Sequence, residues 1–285
     1  MEPCYIATGP QKSTRAGDRF GGNACCPGFS RFGLILLTRR IRLKAGQHAV
    51  PQILKRHPPR LTLMPMQARI KAVSFDVGGT LIAPWPSVGH VYARVAATHI
   101  GFSADPERIT RQFVAAWRKR GEFDYSREGW LDLVRHSFHG IAEVTENLFV
   151  ALYDAFSTHD AWRVYEDVLP VLEALRKAEV RLAVISNWDT RLRATLRSIG
   201  LHDHFEVVTV SGEHGVNKPD ARIFQLTAEA MKLQPAEILH IGDSHWEDFH
   251  GARNAGFHAL HLDRDGESSG AVGSLSALIS HLSTG

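Results

Sequence analysis

The 285 residues include 33 Lys or Arg, 30 Asp or Glu and a formal net charge of +3, with 44% apolar and 22% charged residues. That composition suits a chain with a sizeable core, in one large domain or two smaller ones. No apolar run approaches the roughly 18 residues a membrane-spanning helix needs, so no span is expected. The three cysteines, Cys4, Cys25 and Cys26, all lie near the start, which leaves the rest of the chain without a thiol for a disulfide, a zinc cage or nucleophilic catalysis and fits a reducing compartment.

Residues 1 to 63 hold 11 Lys or Arg against Glu2 and Asp18, a local balance of +9, and the remainder, with 22 basic and 28 acidic residues, stands at −6. This leader is Arg-rich, acid-poor and broken by Gly and Pro. It reads as an organellar transit peptide, or as a translated upstream stretch that never folds with Met64 or Met66 as the natural start, ahead of a basic arm for nucleic acid or an anionic surface. Residues 1–67 are therefore set apart as a disordered, cleaved or untranslated leader. The expected location is cytoplasmic, or organellar if the leader is a transit peptide, with no nucleic-acid or membrane partner.

The first strand is Ala72-Val73-Ser74-Phe75, which runs into Asp76-Val77-Gly78-Gly79-Thr80-Leu81. A buried strand followed by a Gly-Gly turn places Asp76 at the carboxyl edge of a sheet, where open α/β sheets hold their ligands, so Asp76 is a candidate nucleophile. Residues 87–160 then show four apolar stripes at helical spacing: Val88, Val91, Tyr92 and Val95; Ile109, Phe113 and Trp117; Trp130, Val134 and Phe138; Leu148, Leu152 and Phe156. They predict a small four-helix insertion whose aromatics are mostly core.

From residue 165 helical and strand periods alternate, the pattern of a parallel sheet. Val168 to Leu175 predicts a helix and Leu182 to Ile185 a strand ending at Ser186-Asn187. Leu192 to Ile199 predicts a helix, Phe205 to Val210 a strand and Ile223 to Met231 a helix. Ile238 to Ile241 predicts a strand ending at Gly242-Asp243. A helix from Trp246 to Gly256, a strand from His258 to Leu262, a Gly/Ser-rich linker over 266–274 and a last helix with Leu275, Leu278 and Leu282 complete the series.

Three predicted strands thus end in polar residues of one plausible site: Asp76, Ser186-Asn187 and Asp243, with Lys218-Pro219 in a loop before a helix. Singly, each suits a cap, a turn or a solvated charge. Together, the strings FDVGGTL, ISN, NKPD and GDSHWED resemble, in order and spacing, the four motifs of the haloacid dehalogenase-like (HAD) hydrolase superfamily over about residues 69–265. The helical insertion looks like that superfamily's cap, as in its subfamily IA.

The resemblance implies a doubly wound, Rossmann-like α/β core at 68–86 and 161–285 with a helical cap domain at 87–160. It implies that Asp76 attacks a phosphoryl group to form an aspartyl-phosphate, that Thr80, Ser186, Asn187 and Lys218 bind the phosphate, and that Gly242 shapes its loop. Mg²⁺ would sit on Asp76, the Gly78 backbone carbonyl and Asp243, with Asp248 supporting the metal from behind. The expected substrate is a small phosphorylated metabolite.

Gly78 departs from the family pattern. The aspartate usual there protonates the leaving group, a contribution of about 10² to 10⁴ in rate, whereas glycine retains only the carbonyl. His90, His214 and His245 are candidate substitutes, having titration near neutrality. Two alternatives follow from Gly78. One is a metal-independent 2-haloacid dehalogenase, with Arg108 or Arg111 for the substrate's carboxylate and halide. The other is a degenerate family member that binds or regulates without catalysis.

Overall fold

A computed structural model describes residues 70–121 and 123–283; the basic leader, its cysteines and both candidate start methionines lie outside the described residues. Five strands form one parallel sheet: β1 (Ala72–Phe75), β4 (Arg181–Ser186), β5 (Val207–Val210), β6 (Ile238–Gly242) and β7 (His258–His261). Their order is β5-β4-β1-β6-β7. The chain runs outward from β1 through β4 to β5, then returns to build β6 and β7 on the other side. The strand order therefore reverses beside β1, and a crevice opens there at the carboxyl ends.

Alternation along the strands sends side chains to two faces, and each face meets helices. Val73, Phe75, Leu182 and Val184 pack with Val168, Val171, Leu172 and Leu175 of α5 (Val168–Lys177), Leu192 and Leu196 of α6 (Leu192–Ser198), and Leu275 and Leu278 beside and within α10 (Ser276–Ser283). On the other face Ala72, Ala183 and Ile185 meet Ile223, Phe224, Ala228 and Met231 of α8 (Ala221–Met231), with Ala252 of α9 (Gly251–Asn254). Helices on both faces of a parallel sheet make the fold doubly wound, as expected. Full burial of such side chains contributes about 1.5–3 kcal/mol each, before the entropy of ordering them.

Between β1 and β4 the chain leaves through β2 (Ile82–Pro84) and returns through β3 (Trp162–Val164), two three-residue strands paired antiparallel. The excursion between them contains α1 (Val88–Ile100), α2 (Pro106–Lys119), α3 (Arg127–Ser137) and α4 (Glu146–Ala155). Ser87, Asp105, Ser126 and Thr145 cap their N-termini, each side chain accepting a first-turn backbone N–H. The four helices bury an apolar cluster of their own, including Tyr92, Ile109, Phe138, Leu148 and Phe149. No helix among the described residues is long and apolar enough to cross a membrane.

Two elements differ from expectation. The strand expected from Phe205 starts at Val207, because a 3₁₀ turn over His202–His204 runs up to Phe205. The helix expected from Trp246 opens instead as a π turn over His245–His250 and becomes α-helical at Gly251. The Ser244 carbonyl accepts from both Asp248 N (2.9 Å) and Phe249 N (3.2 Å), which widens the first turn.

Candidate active site

The crevice beside β1 gathers the residues whose strands and loops end there. Asp76 follows β1, and its Oδ1 accepts from Ser186 Oγ at the end of β4 (3.0 Å) and from Lys218 Nζ (2.6 Å). Lys218 Nζ also donates to Asp248 Oδ1 at 2.6 Å, so one buried ammonium lies between two buried carboxylates. Burial works against the charge on Lys218, but Asp248 and Asp76 outweigh it and raise its pKa. For Asp248 burial pushes upward, yet the Lys218 charge and a hydrogen bond from His240 hold the carboxyl well below its usual range. Asp76 keeps a raised pKa, because burial exceeds the pull of the same lysine.

Asn187 grips Lys218 through the backbone. Its Oδ1 accepts from Lys218 N (2.6 Å), and its Nδ2 donates to Lys218 O (2.9 Å) and to Glu247 Oε2 (3.1 Å). Thr80 is fully buried, and its hydroxyl oxygen accepts from Asp243 N at 3.1 Å, which ties the loop after β1 to the loop after β6. Asp243 itself is exposed at the rim. The protein around it still strips water from the carboxylate, and that desolvation, joined by the charges of Asp76 and Asp248, holds its pKa well above the ordinary range.

The two glycines after Asp76 have different reasons to be small. Gly79 has φ +76° and a Cβ there would overlap the Asp243 carboxylate. Gly79→Ala is therefore expected to cost about 1–3 kcal/mol of stability, checked by urea unfolding. At Gly78 φ is not positive, but a Cβ would sit 3.3 Å from Trp188 Cζ3. Of the atoms around that Cβ position only this edge of the Trp188 indole lies within 4 Å.

Four features of the site were not anticipated. His240, fully buried on β6, lies 3.1 Å through Nε2 from Asp248 Oδ1 and 2.9 Å through Nδ1 from Ser74 Oγ. Burial lowers its pKa, so the neutral ring donates from Nε2 to Asp248 and accepts at Nδ1 from Ser74. Glu247 reaches Asn187 while its neighbour Asp248 reaches Lys218, since the π turn brings consecutive side chains to one side. Trp188 beside Gly78 and Phe123, whose carbonyl accepts from Asn217 Nδ2 at 3.4 Å, complete the list.

The other candidates have contacts of their own. His90 bonds with Ser87 Oγ at 2.9 Å, His214 is exposed at the end of α7 (Ser211–His214), and exposed His245 stacks on Phe249 with centroids 5.3 Å apart. Arg108 donates to Gly140 O, and Arg111 lies 3.9 Å from Asp105 on the surface of α2.

Ligand atoms of Asp76, Asp243 and Asp248 all lie within 4.8 Å of one another. An all-oxygen, carboxylate-rich set fits a hard divalent cation such as Mg²⁺. Asp248 spends both oxygens on protein donors, Oδ1 on Lys218 and His240 and Oδ2 on Ser244 N (3.0 Å), which leaves Asp76 and Asp243 as the carboxylates suited to direct contact.

A family model described as haloacid dehalogenase-like hydrolase matches residues 70–256. Haloacid dehalogenase-like hydrolase domain-containing protein 3 of Bos taurus is 34% identical over 210 residues, 69% of this chain and 83% of that protein. The crystal structure of a HAD phosphatase from Thermococcus onnurineus aligns at 26% identity with a TM-score of 0.54, covering 74% of this chain and 97% of the other. An L-2-haloacid dehalogenase from Xanthobacter autotrophicus aligns at 24% identity with a TM-score of 0.55, covering 76% of this chain and 83% of the other, a likeness of fold alone. Two chemistries therefore stand among the structural neighbours.

Proposed function

The chain belongs to the haloacid dehalogenase-like hydrolases, and on that footing we propose that it is a Mg²⁺-dependent phosphomonoester hydrolase working through an aspartyl-phosphate on Asp76. The observation that carries this choice over dehalogenation is the cluster of three carboxylates, Asp76, Asp243 and Asp248, of which Asp76 and Asp248 bond the buried Lys218. A halide leaves without a cation's help and would need no such set.

The ion would be held by Asp76, Asp243 and the Gly78 carbonyl, and when bound it neutralises phosphoryl charge and fixes the phosphoryl oxygens in place. A carboxylate oxygen of Asp76 forms the bond to phosphorus as the ester P–O bond breaks, its electron pair going to the leaving oxygen. Water then attacks the aspartyl-phosphate, releasing phosphate and restoring Asp76. Lys218 holds Asp76 in place and offers positive charge to the phosphate, while Ser186 orients the nucleophile through its 3.0 Å hydrogen bond. Helices α1–α4 act as the cap that covers the substrate and excludes water.

With glycine at residue 78 the leaving oxygen takes its proton from elsewhere, so aryl and acyl phosphates should be better substrates than alkyl phosphates. Gly78→Asp, made with Trp188→Leu to relieve the 3.3 Å contact with the indole edge, is expected to raise alkyl-phosphate kcat by about 10-fold or more and aryl-phosphate kcat much less. Equal gains on both classes would reject the missing-acid explanation. The proposal as a whole is tested by assaying phosphate esters, acyl phosphates and 2-haloacids with Mg²⁺ and with chelator. Chelator-sensitive phosphate release is expected. Chelator-resistant halide release would establish dehalogenation instead, and no turnover by folded, Mg²⁺-bound protein would establish a binding role.

A further inference from the structure

After β7 the run Leu262-Asp263-Arg264-Asp265-Gly266 leaves the sheet through a turn that its own first carboxylate builds. Asp263 Oδ1 accepts from Asp265 N and Gly266 N, both at 3.1 Å, and Oδ2 accepts from Ser268 N at 2.6 Å. The turn is tied down on its other side by Asp263 N, which donates to Val272 O at 2.9 Å. Arg264 stands at the bend of this fixed loop with only 17% of its side chain exposed.

Its guanidinium joins both arms of the chain at the root of the helical excursion. On the departing arm Nη2 donates to Thr80 O at 2.8 Å. On the returning arm Nη1 and Nη2 meet Asp167 Oδ2 and Oδ1 at 3.1 and 3.0 Å, fork against fork, and the guanidinium carbon lies 3.8 Å from the ring centroid of Tyr165. Asp167 is itself fixed, since its Oδ2 also accepts from Leu275 N at 2.8 Å. The remaining nitrogen, Arg264 Nε, is buried and makes no hydrogen bond. An unpaired buried donor disfavours the folded state, so the head is held where it serves Thr80 and Asp167, not where all of its nitrogens are satisfied.

Thr80 passes this restraint on to Asp243. Its hydroxyl accepts from Asp243 N at 3.1 Å, and a Cβ on the preceding Gly79 would come within 2.4 Å of Asp243 Oδ2, so the carboxylate lies hard against the backbone of the same loop. From the end of β7, Leu262 N donates to Gly242 O at 2.9 Å and His261 Nε2 lies 3.1 Å from Asp243 O. Asp76 takes its place from other loops, through Lys218 and Ser186. A displacement of Thr80 therefore moves Asp243 relative to Asp76, and a small divalent ion tolerates little error in the spacing of its ligands. Resting on the Mg²⁺ reading above, we propose that Arg264 is a positioning residue for the divalent-cation site, fixing through Thr80 the separation of the Asp243 and Asp76 carboxylates.

The probe is Mn²⁺, which takes the same oxygen ligands, with the free ion counted by electron paramagnetic resonance and Mg²⁺ added as competitor. No turnover is needed. Arg264→Gln is expected to raise the Mn²⁺ Kd by about tenfold, the scale on which loss of a supporting residue behind a metal ligand is felt, and Thr80→Val, which removes the hydroxyl, by a similar factor. The double variant should match the weaker-binding single variant and not the product of the two losses, because Arg264 acts through Thr80. Arg264→Lys, which keeps a charge and donors between Asp167 and Thr80 O, should recover most of the affinity. A strap with a purely structural role would lower the melting temperature and leave each Kd unchanged. Where Arg264→Gln does not fold, Asp167→Asn, alike in shape but without the charge, carries the test and should raise the Kd by about threefold or more. Wild-type affinity in folded Arg264→Gln or in Asp167→Asn would overturn the assignment, as would fully multiplied losses in the double variant. If the wild-type protein bound no Mn²⁺ at all, the cation reading itself would fall, and the role of Arg264 with it.

Discussion

Asp76→Asn should lower turnover of every phosphate ester by about 10⁴-fold or more, the scale on which removal of a catalytic nucleophile is felt. The amide keeps the size of the carboxylate and one acceptor for Ser186, but it cannot attack phosphorus. The fold should survive, because Lys218 retains Asp248 at 2.6 Å as a buried counter-charge. Two measurements separate loss of chemistry from loss of structure: a melting temperature close to wild type, and acid quenching after brief exposure to a labelled acyl phosphate. Wild-type protein should retain protein-bound label and the variant none. Substantial turnover by a folded variant would remove Asp76 from the chemistry.

Lys218→Met should be the most destabilising single change at the site. It strands Asp76 and Asp248 without the ammonium that both bond, and breaking a buried ion pair by removing one partner costs about 3–5 kcal/mol. The sign of the pH dependence follows from linkage. Without the cation, both carboxyls titrate in the folded protein above the roughly 3.9 of an unfolded aspartate, so the folded state binds protons that the unfolded state does not. Stability is then regained as pH falls through the folded values. In the wild-type protein Asp248 behaves oppositely: its depressed pKa contributes stability above the unfolded value that is lost as pH falls through the folded one. Urea unfolding in chelator should therefore show a wider gap between variant and wild type at pH 7.5 than at pH 5. A gap independent of pH would mean that the lost packing of the lysine stem, not charge, sets the cost. Activity should fall by about 10³-fold, since Lys218 places the nucleophile and faces the phosphate.

Much of this arrangement was legible in the chain because three strands announce their ends. Asp76, Ser186 and Asp243 each follow a short, mostly apolar run that stops at a polar or glycine residue, and such a run carries that information locally. The four helices between β2 and β3 were equally plain from their stripes. What escaped notice depends on residues far apart in the chain. His240 stands inside the apolar run Ile238-Leu239-His240-Ile241, where nothing nearby indicates that its partner is Ser74, paired with it in the register of β1 and β6. The edge of Trp188 lies 3.3 Å from where a Cβ at Gly78 would sit, so a missing carboxylate could be read as a loss of chemistry but not as a close contact between distant residues. β2 and β3 have three residues each and meet across the whole helical excursion, too short to show a period. The π turn escaped because periodicity cannot separate one widened turn from the start of an α-helix, and Glu247 was overlooked beside the more conspicuous Asp248.

The position of β1 at the centre of the sheet has a consequence for the order in which the protein is made. Ala72 pairs with Arg181 on one side and with Ile238 on the other. At ordinary ribosomal rates of about 5–20 residues per second, the second partner emerges roughly 8–33 seconds after the strand itself. Throughout that interval the segment bearing the nucleophile has an unsatisfied backbone edge and apolar side chains on both faces. The helices of the excursion, with their local contacts and their own apolar cluster, are able to fold first. A nascent chain halted short of Ile238 would therefore carry folded helices beside an open strand, a natural target for chaperones that hold exposed apolar segments.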